Sequence, residues 1–225
     1  MAKGVLLAIV AHPDDETLGC GGTLALHAEI GNTVKVLCLT IPSEERKEEL
    51  REACLTLGAD EPKILKDGNL KDESQTVTGI SDAIVSSQPQ VVITHLGYDY
   101  HRDHRLASKL VKEGVEWAAH MTTYSEPWVV DRFLQMEVNT LVPNPHVIVD
   151  ITEAFQRKME ALECYQSQLA KFPDGYYQRF TQLKAQLRGT QGGIPYAEAF
   201  EEEPLAKNSP FYKHRSTKTL LKNPE

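Results

Sequence analysis

The stretch Val5-Leu6-Leu7-Ala8-Ile9-Val10-Ala11-His12-Pro13-Asp14-Asp15-Glu16 decides the fold. Its first seven residues are apolar without alternation, the pattern of a strand covered on both faces. The run stops abruptly at His12, where Pro13 removes a backbone donor and three carboxylates follow, so the strand leaves the core there. Lys3 ahead of the apolar run imitates a short secretory leader. The run is too short and too β-rich for one, and it falls far below the about 20 residues that a spanning helix needs.

Working outward, Leu18–Ile30 reads as a helix with Gly31 placed as its C-cap, and Thr33–Thr40 as a second strand. Ser43 is a good N-cap for a helix whose first turn carries Glu44 and Glu45. Leu50, Ala53, Cys54 and Leu57 give that helix one apolar face, and Gly58 ends it. A short strand over Pro62–Lys66, a polar loop over 67–73 and a helix near 75–87 follow. Val91–Thr94 is a fourth strand, and Leu106, Leu110, Val111, Val115 and Ala118 line one face of the next helix. Trp128–Val138 and His146–Ile151 are strand-like, and Phe155, Met159, Leu162, Tyr165 and Leu169 form a helical stripe. Strands alternating with helices imply an α/β protein with a doubly wound, mostly parallel sheet. Beyond 172 the pattern weakens into the turn Pro173-Asp174-Gly175, a polar helix over 176–188 and several glycine and proline breaks. The expected organisation is one domain over 1–225, with a core over 1–172 and a C-terminal helical and irregular arm over 173–225.

The 225 residues, 41% of them apolar, suit a globular domain able to bury a full core. Lys and Arg number 24 against 32 Asp and Glu, a net charge of −8. That balance argues against a nucleic-acid or anionic-membrane binder, which needs a positive surface. A small anionic ligand needs only one or two Arg and stays compatible. Cys20, Cys38, Cys54 and Cys164 form no C-x-x-C pair and read as reduced thiols, which points to the cytoplasm. Composition leaves the oligomeric state open, a homo-oligomer included.

In doubly wound sheets ligands sit beyond the carboxyl ends of the strands. The first strand ends in His12–Glu16, and the fourth in His95-Leu96-Gly97-Tyr98-Asp99-Tyr100-His101-Arg102-Asp103-His104. Histidines and carboxylates at two such ends supply the donors of a His/His/Asp metal site, and three protein ligands with an open position is the catalytic zinc pattern. Each cluster alone is also explained as a helix-opening loop. Two adjacent carboxylates beside a buried strand end, however, are costly unless a cation neutralises them. His95 reads as a satisfied core residue or a support for a ligand. His27, His120 and His214 read as surface residues, and His146 stays undecided.

These residues resemble a known family. Ala11-His12-Pro13-Asp14-Asp15-Glu16 with Gly21-Gly22, followed by His101-Arg102-Asp103-His104-Arg105, is similar to the PIG-L/LmbE-type zinc N-deacetylases. The similarity continues through Arg46, Glu49, Ala53 and Leu57-Gly58, through Asp150-Ile151-Thr152, Lys158 and Ser167-Gln168, and through Arg188-Gly189 and Tyr196–Phe200. The resemblance implies a Rossmann-like fold and removal of acetyl from an N-acetylated amino sugar, an N-acetylglucosamine-type group that is free or conjugated. It implies His12, Asp15 and His104 as ligands of Zn2+; Fe2+ suits the same donors. It further implies Asp14 as general base, His101 as oxyanion stabiliser or proton donor to the leaving amine, and Asp103 as the residue that orients its neighbours. Arg46 carries over as a substrate contact. Some members place a Tyr near the second motif as an oxyanion donor, which makes Tyr98 and Tyr100 candidates. Arg102 stands where members often have Pro, a departure that leaves the ligands intact and implies either an altered loop shape or added positive charge at the pocket mouth; Tyr165 stands where they often have His.

Three rival readings remain on the residues alone. The same catalytic groups serve a zinc hydrolase of a non-sugar amide or ester. A non-catalytic sugar-binding protein would keep the metal but has no use for a spare Asp14. A dinucleotide-dependent dehydrogenase lacks support, because Gly19-Cys20-Gly21-Gly22 does not fit G-x-G-x-x-G and the second strand ends in Thr40 rather than an acid.

Overall fold

The first strand, β1 (Val5–Val10), sends its side chains alternately into two cores. Leu6, Ala8 and Val10 join Leu24, Leu50 and Leu162 on one side, while Leu7, Ile9 and Ala11 join Ile80, Leu110 and Val111 on the other. This two-sided burial is what the unalternating run requires. The computed structural model describes residues 4–65, 70 and 73–205.

The elements follow in the order α1 (Asp15–Glu29), β2 (Thr33–Cys38), α2 (Glu44–Leu57), β3 (Lys63–Ile64), α3 (Glu73–Ser87), β4 (Val91–His95), α4 (Arg102–Ala118), β5 (Arg132–Met136), β6 (Val147–Asp150), α5 (Phe155–Glu163), α6 (Gln166–Leu169), a 3-10 turn at Pro173–Gly175, α7 (Tyr176–Gly192) and β7 (Ala197–Glu203). The sheet runs β3-β2-β1-β4-β5-β7-β6. The first five of these are parallel, and β7 is antiparallel to both its neighbours. The chain winds outward from β1 through β2 and β3, then returns to β4 and β5. The strand order therefore reverses between β1 and β4, and a crevice opens beyond their carboxyl ends.

The doubly wound, mostly parallel α/β fold agrees with the sequence reading, while several details differ. The expected strand over 128–138 shortens to β5. The stripe from Phe155 to Leu169 is two helices, because the chain leaves helical geometry at Tyr165, with φ −88° and ψ 52°. Most consequentially, 176–203 is not an appendage: β7 inserts into the sheet between β5 and β6, with Phe200 fully buried. The loop expected over 67–73 and the arm beyond 205 fall largely or wholly outside the described residues. Among the described residues, no helix is long and apolar enough to cross a membrane.

The first helix begins at Asp15, ahead of the expected Leu18, and it is broken at Cys20, where φ is −143° and ψ is 16°. The break is held by buried charges. The Leu18 carbonyl accepts from Lys158 Nζ at 3.2 Å and Lys184 Nζ at 3.1 Å. Beyond the break, the N–H groups of Gly22 and Thr23 donate to the two carboxylate oxygens of Glu198 at 2.9 and 2.8 Å. Lys158 also pairs with Glu198 at 2.6 Å, so β7, α5 and α1 meet at one ion pair. A Cβ on Gly19 would lie 2.4 Å from Met136 Sδ, and one on Gly22 2.7 Å from Ile151 Cδ1. These glycines let the broken helix press against the sheet and fix its first turn at the crevice.

Candidate metal centre

The loop after β1 and the loop after β4 face each other across the crevice. Asp14, the last residue before α1, sits in the left-handed region at φ 97°, a strained conformation for a residue with a Cβ. That turn swings Asp15 back so that its Oδ2 accepts the His12 N–H at 2.8 Å. Asp15 is buried between imidazoles: Oδ2 lies 3.4 Å from His12 Nδ1, and Oδ1 lies 3.1 Å from His104 Nε2. His12, Asp15 and His104, named from sequence, are thus brought together.

His101 stands beside them. Donor nitrogens of His12, His101 and His104 lie within 4.8 Å of one another, and so do donor atoms of Asp15, His95 and His104. His95 is unsuited as a ligand, because its Nε2, the nitrogen facing Asp15, already accepts the Ala11 N–H at 2.9 Å. The buried Nδ1 of His101 has no hydrogen-bond partner. An orphaned imidazole nitrogen next to two more imidazoles and a buried carboxylate is a donor set that fits a divalent cation.

The electrostatics separate the two adjacent aspartates. Burial would raise Asp15, but His104 and His95 overcome it and hold that carboxyl well below the ordinary range. Asp14 is pushed up to about 7 by burial and by the charge of Asp15, against the pull of Arg46. His104, despite burial, is raised to about 10 by Asp15 and Asp99, whereas His101 is lowered by burial and by the neighbouring imidazoles. The pair therefore divides into a permanently charged Asp15 and an Asp14 poised near neutrality.

Other assignments from sequence are distributed differently. Asp103 Oδ2 lies 3.2 Å from His12 Nε2, in position to orient that ring. Arg46 reaches the crevice, but its guanidinium is taken by Asp14 Oδ2 and Glu49 Oε2, both at 2.8 Å, and by the Pro13 carbonyl. Tyr100 and His101 line the cavity, whose volume is about 730 Å3. Tyr98 and Arg102 do not line it, and the Tyr98 hydroxyl donates to Glu201 at 2.7 Å. Asp99, Asn139 and Tyr177 were not singled out from sequence. Asn139 and Tyr177 form cavity wall, and Asp99 lies 3.2 Å from His104. Asp99 has a signal, a second carboxylate beside Asp103 in the segment that follows β4; Tyr177 has none, since it comes from α7.

Fold and site together define a doubly wound α/β protein with a cluster of candidate metal-ligating His and Asp side chains at its switch point. Comparison with known proteins makes the class specific. Residues 7–115 match the PIG-L family, described as GlcNAc-PI de-N-acetylase. The conserved protein TT1542 from Thermus thermophilus is 30% identical, with a TM-score of 0.78 over 89% of this chain and 94% of that one. A probable N-acetyl-alpha-D-glucosaminyl L-malate deacetylase 2 from Bacillus cereus is 25% identical, over 72% of this chain and 83% of its own. A 4-oxalmesaconate hydratase from Pseudomonas putida is 26% identical over 87% of each. The chain belongs to the PIG-L family.

Proposed function

We propose that this protein is a metal-dependent hydrolase that removes the acetyl group from an N-acetylated amino sugar, with His12, Asp15 and His104 holding Zn2+. One observation carries the reading. Asp14, which the ligand set does not need, lines the cavity beside it, carried on a strained turn at φ 97° and gripped by Arg46 Nη2 at 2.8 Å. A purely structural metal site has no use for a spare carboxylate, whereas general-base chemistry needs one held within reach of the attacking water.

When bound, the cation supplies Lewis-acid polarisation of the amide carbonyl and lowers the pKa of water at the site to about 7. The chain supplies the rest. Asp14 accepts the proton of the attacking water at its carboxylate and returns it to the leaving amine. His101 places a ring N–H beside the oxygen on which charge develops. Asp103 holds His12 by its Nε2 edge, leaving Nδ1 turned to Asp15. Support for a sugar substrate comes from the family and from the Bacillus cereus relative. The free thiols of all four cysteines fit a cytoplasmic location.

A second reading is favoured by one finding, the similarity to a hydratase. Addition of water to a carbon–carbon double bond also calls for an activated water and a base, which the same donor cluster and Asp14 would supply. The deciding experiment loads the protein with Zn2+ and measures acetate release from N-acetylglucosamine, its glycosides and conjugates, and simple N-acetyl amides. A parallel arm follows hydration of 4-oxalmesaconate. Acetate release confined to the sugars supports the proposal; release confined to non-sugar amides, or hydration alone, overturns it.

A further inference from the structure

We propose that Asp99 is a positioning residue of the metal centre, fixing the His104 ring so that Nε2 rather than Nδ1 is the nitrogen offered to the cation. The inference deepens the reading above and rests on His104 being a ligand. Asp99 lies between two exposed tyrosines, Tyr98 at 45% and Tyr100 at 75%, yet is itself only 1% exposed. A carboxylate turned inward from so open a loop costs free energy unless donors receive it.

Four donors do. Oδ1 accepts the His101 N–H at 2.8 Å and lies 3.2 Å from His104 Nδ1. Oδ2 accepts the N–H groups of Asn139 and Thr140, both at 3.2 Å. One side chain thus ties the loop after β4 to the loop after β5 and to the ring of His104. On its other edge, His104 presents Nε2 to Asp15 Oδ1 at 3.1 Å. The His95 ring stacks on its face at 4.1 Å between centroids and 22° between planes. With a carboxylate at each nitrogen and a ring against its face, His104 has one orientation. The Asn139 amide nitrogen also stands by Nδ1, at 3.4 Å, but the Asp99 carboxylate is closer, at 3.2 Å, and charged; donation of Nδ1–H to Asp99 leaves the Nε2 lone pair on the metal side, the carboxylate–imidazole arrangement that orients metal ligands.

A merely structural role, pinning two loops, would use only the backbone donors. Asp99→Asn separates the two roles. With the amide oxygen in the Oδ2 place, the bonds from the Asn139 and Thr140 N–H groups that join the two loops are kept, while the NH2 in the Oδ1 place gives up the His101 N–H and, next to His104 Nδ1, favours the tautomer with its proton on Nε2. The affinity for Zn2+, measured by competition with a chromogenic chelator, should fall by about 10- to 100-fold. In the zinc-loaded native protein, 15N NMR should show His104 with a proton on Nδ1 and the metal on Nε2, a test that needs no variant to fold. Unchanged zinc affinity in a variant that is only less heat-stable overturns the inference, as does a metal on Nδ1 in the native protein. A native protein that binds no zinc would instead overturn the metal centre itself, and this inference with it.

Discussion

Arg46 Nη2 donates to Asp14 Oδ2 at 2.8 Å, and the same guanidinium is gripped by Glu49 through Nη1 at 2.8 Å. Glu49 in turn accepts from the backbone N–H and hydroxyl of Ser167 at 2.6 and 2.8 Å. Arg46 also donates to the carbonyl of Pro13 and lies 5.2 Å from the centroid of the Tyr165 ring. A cation only 6% exposed, with all these partners, is occupied. It clamps the strained turn that carries Asp14 and offsets the charge that Asp14 and Asp15 would otherwise present to each other.

The clamp makes a pH prediction. A base works only when deprotonated, so activity should rise with pH through the titration of Asp14. Arg46 is a lowering influence on that carboxyl. Removing it in Arg46→Met should move the acid limb of the pH–kcat/KM profile to higher pH by about one unit or more, the scale of a lost close opposite charge. A raised KM with an unmoved limb would mean that Arg46 serves the substrate instead.

Asp14 itself has a sharper signature. Asp14→Asn keeps the shape and a hydrogen-bond acceptor for Arg46 but cannot take a proton. Turnover should drop about 100- to 10,000-fold, the usual worth of a positioned base, while zinc content stays at the native level. Loss of metal in this variant would make Asp14 a ligand; native turnover would remove it from the reaction.

These two residues also show what the sequence can and cannot say. The site was legible where chemistry is concentrated in short motifs: His12, Asp15 and His104 meet because strand ends β1 and β4 flank the switch point, and both ends carry unusual residues. The fold was legible for a related reason, since buried parallel strands leave unalternating apolar runs such as Val5–Ala11. Arg46 read as a substrate contact because a helix-borne cation gives no sign of what fills its donors. β7 was missed because Ala197-Glu198-Ala199-Phe200-Glu201-Glu202-Glu203 is rich in glutamate. The structure explains each charge by partners remote in sequence: Glu198 meets Lys158, Glu201 the Tyr98 hydroxyl, Glu202 Arg132 and Glu203 Lys112. Long-range pairing, not local pattern, makes that segment a strand.

The Lys158–Glu198 pair should be decisive for stability. Both side chains are almost fully buried, at 1% and 3% exposure. Lys158→Met leaves Glu198 as an uncompensated buried charge, and the loss in chemical denaturation should be about 3–5 kcal/mol. The double variant Lys158→Met/Glu198→Gln should recover much of that loss by removing the stranded charge. A single variant within about 0.5 kcal/mol of native, the range of an ordinary surface change, would mean that the Lys158–Glu198 pair does not hold the break in α1.

The two tyrosines near the second motif should behave differently although only one residue separates them. Tyr98 spends its hydroxyl on Glu201 of β7, outside the cavity. Tyr100 lines the cavity, with its ring 6.3 Å from that of His101 in an edge-on arrangement. Tyr100→Phe should therefore lower kcat/KM by about two- to tenfold, the worth of one hydrogen bond to the substrate. Tyr98→Phe should stay within about twofold of native, as expected for a surface change remote from the reacting groups. Because the two substitutions remove the same hydroxyl from neighbouring positions of one loop, a shared effect on loop stability would lower both rates together. Only a larger loss at Tyr100 assigns the contact to the cavity wall, and equal losses would withdraw it.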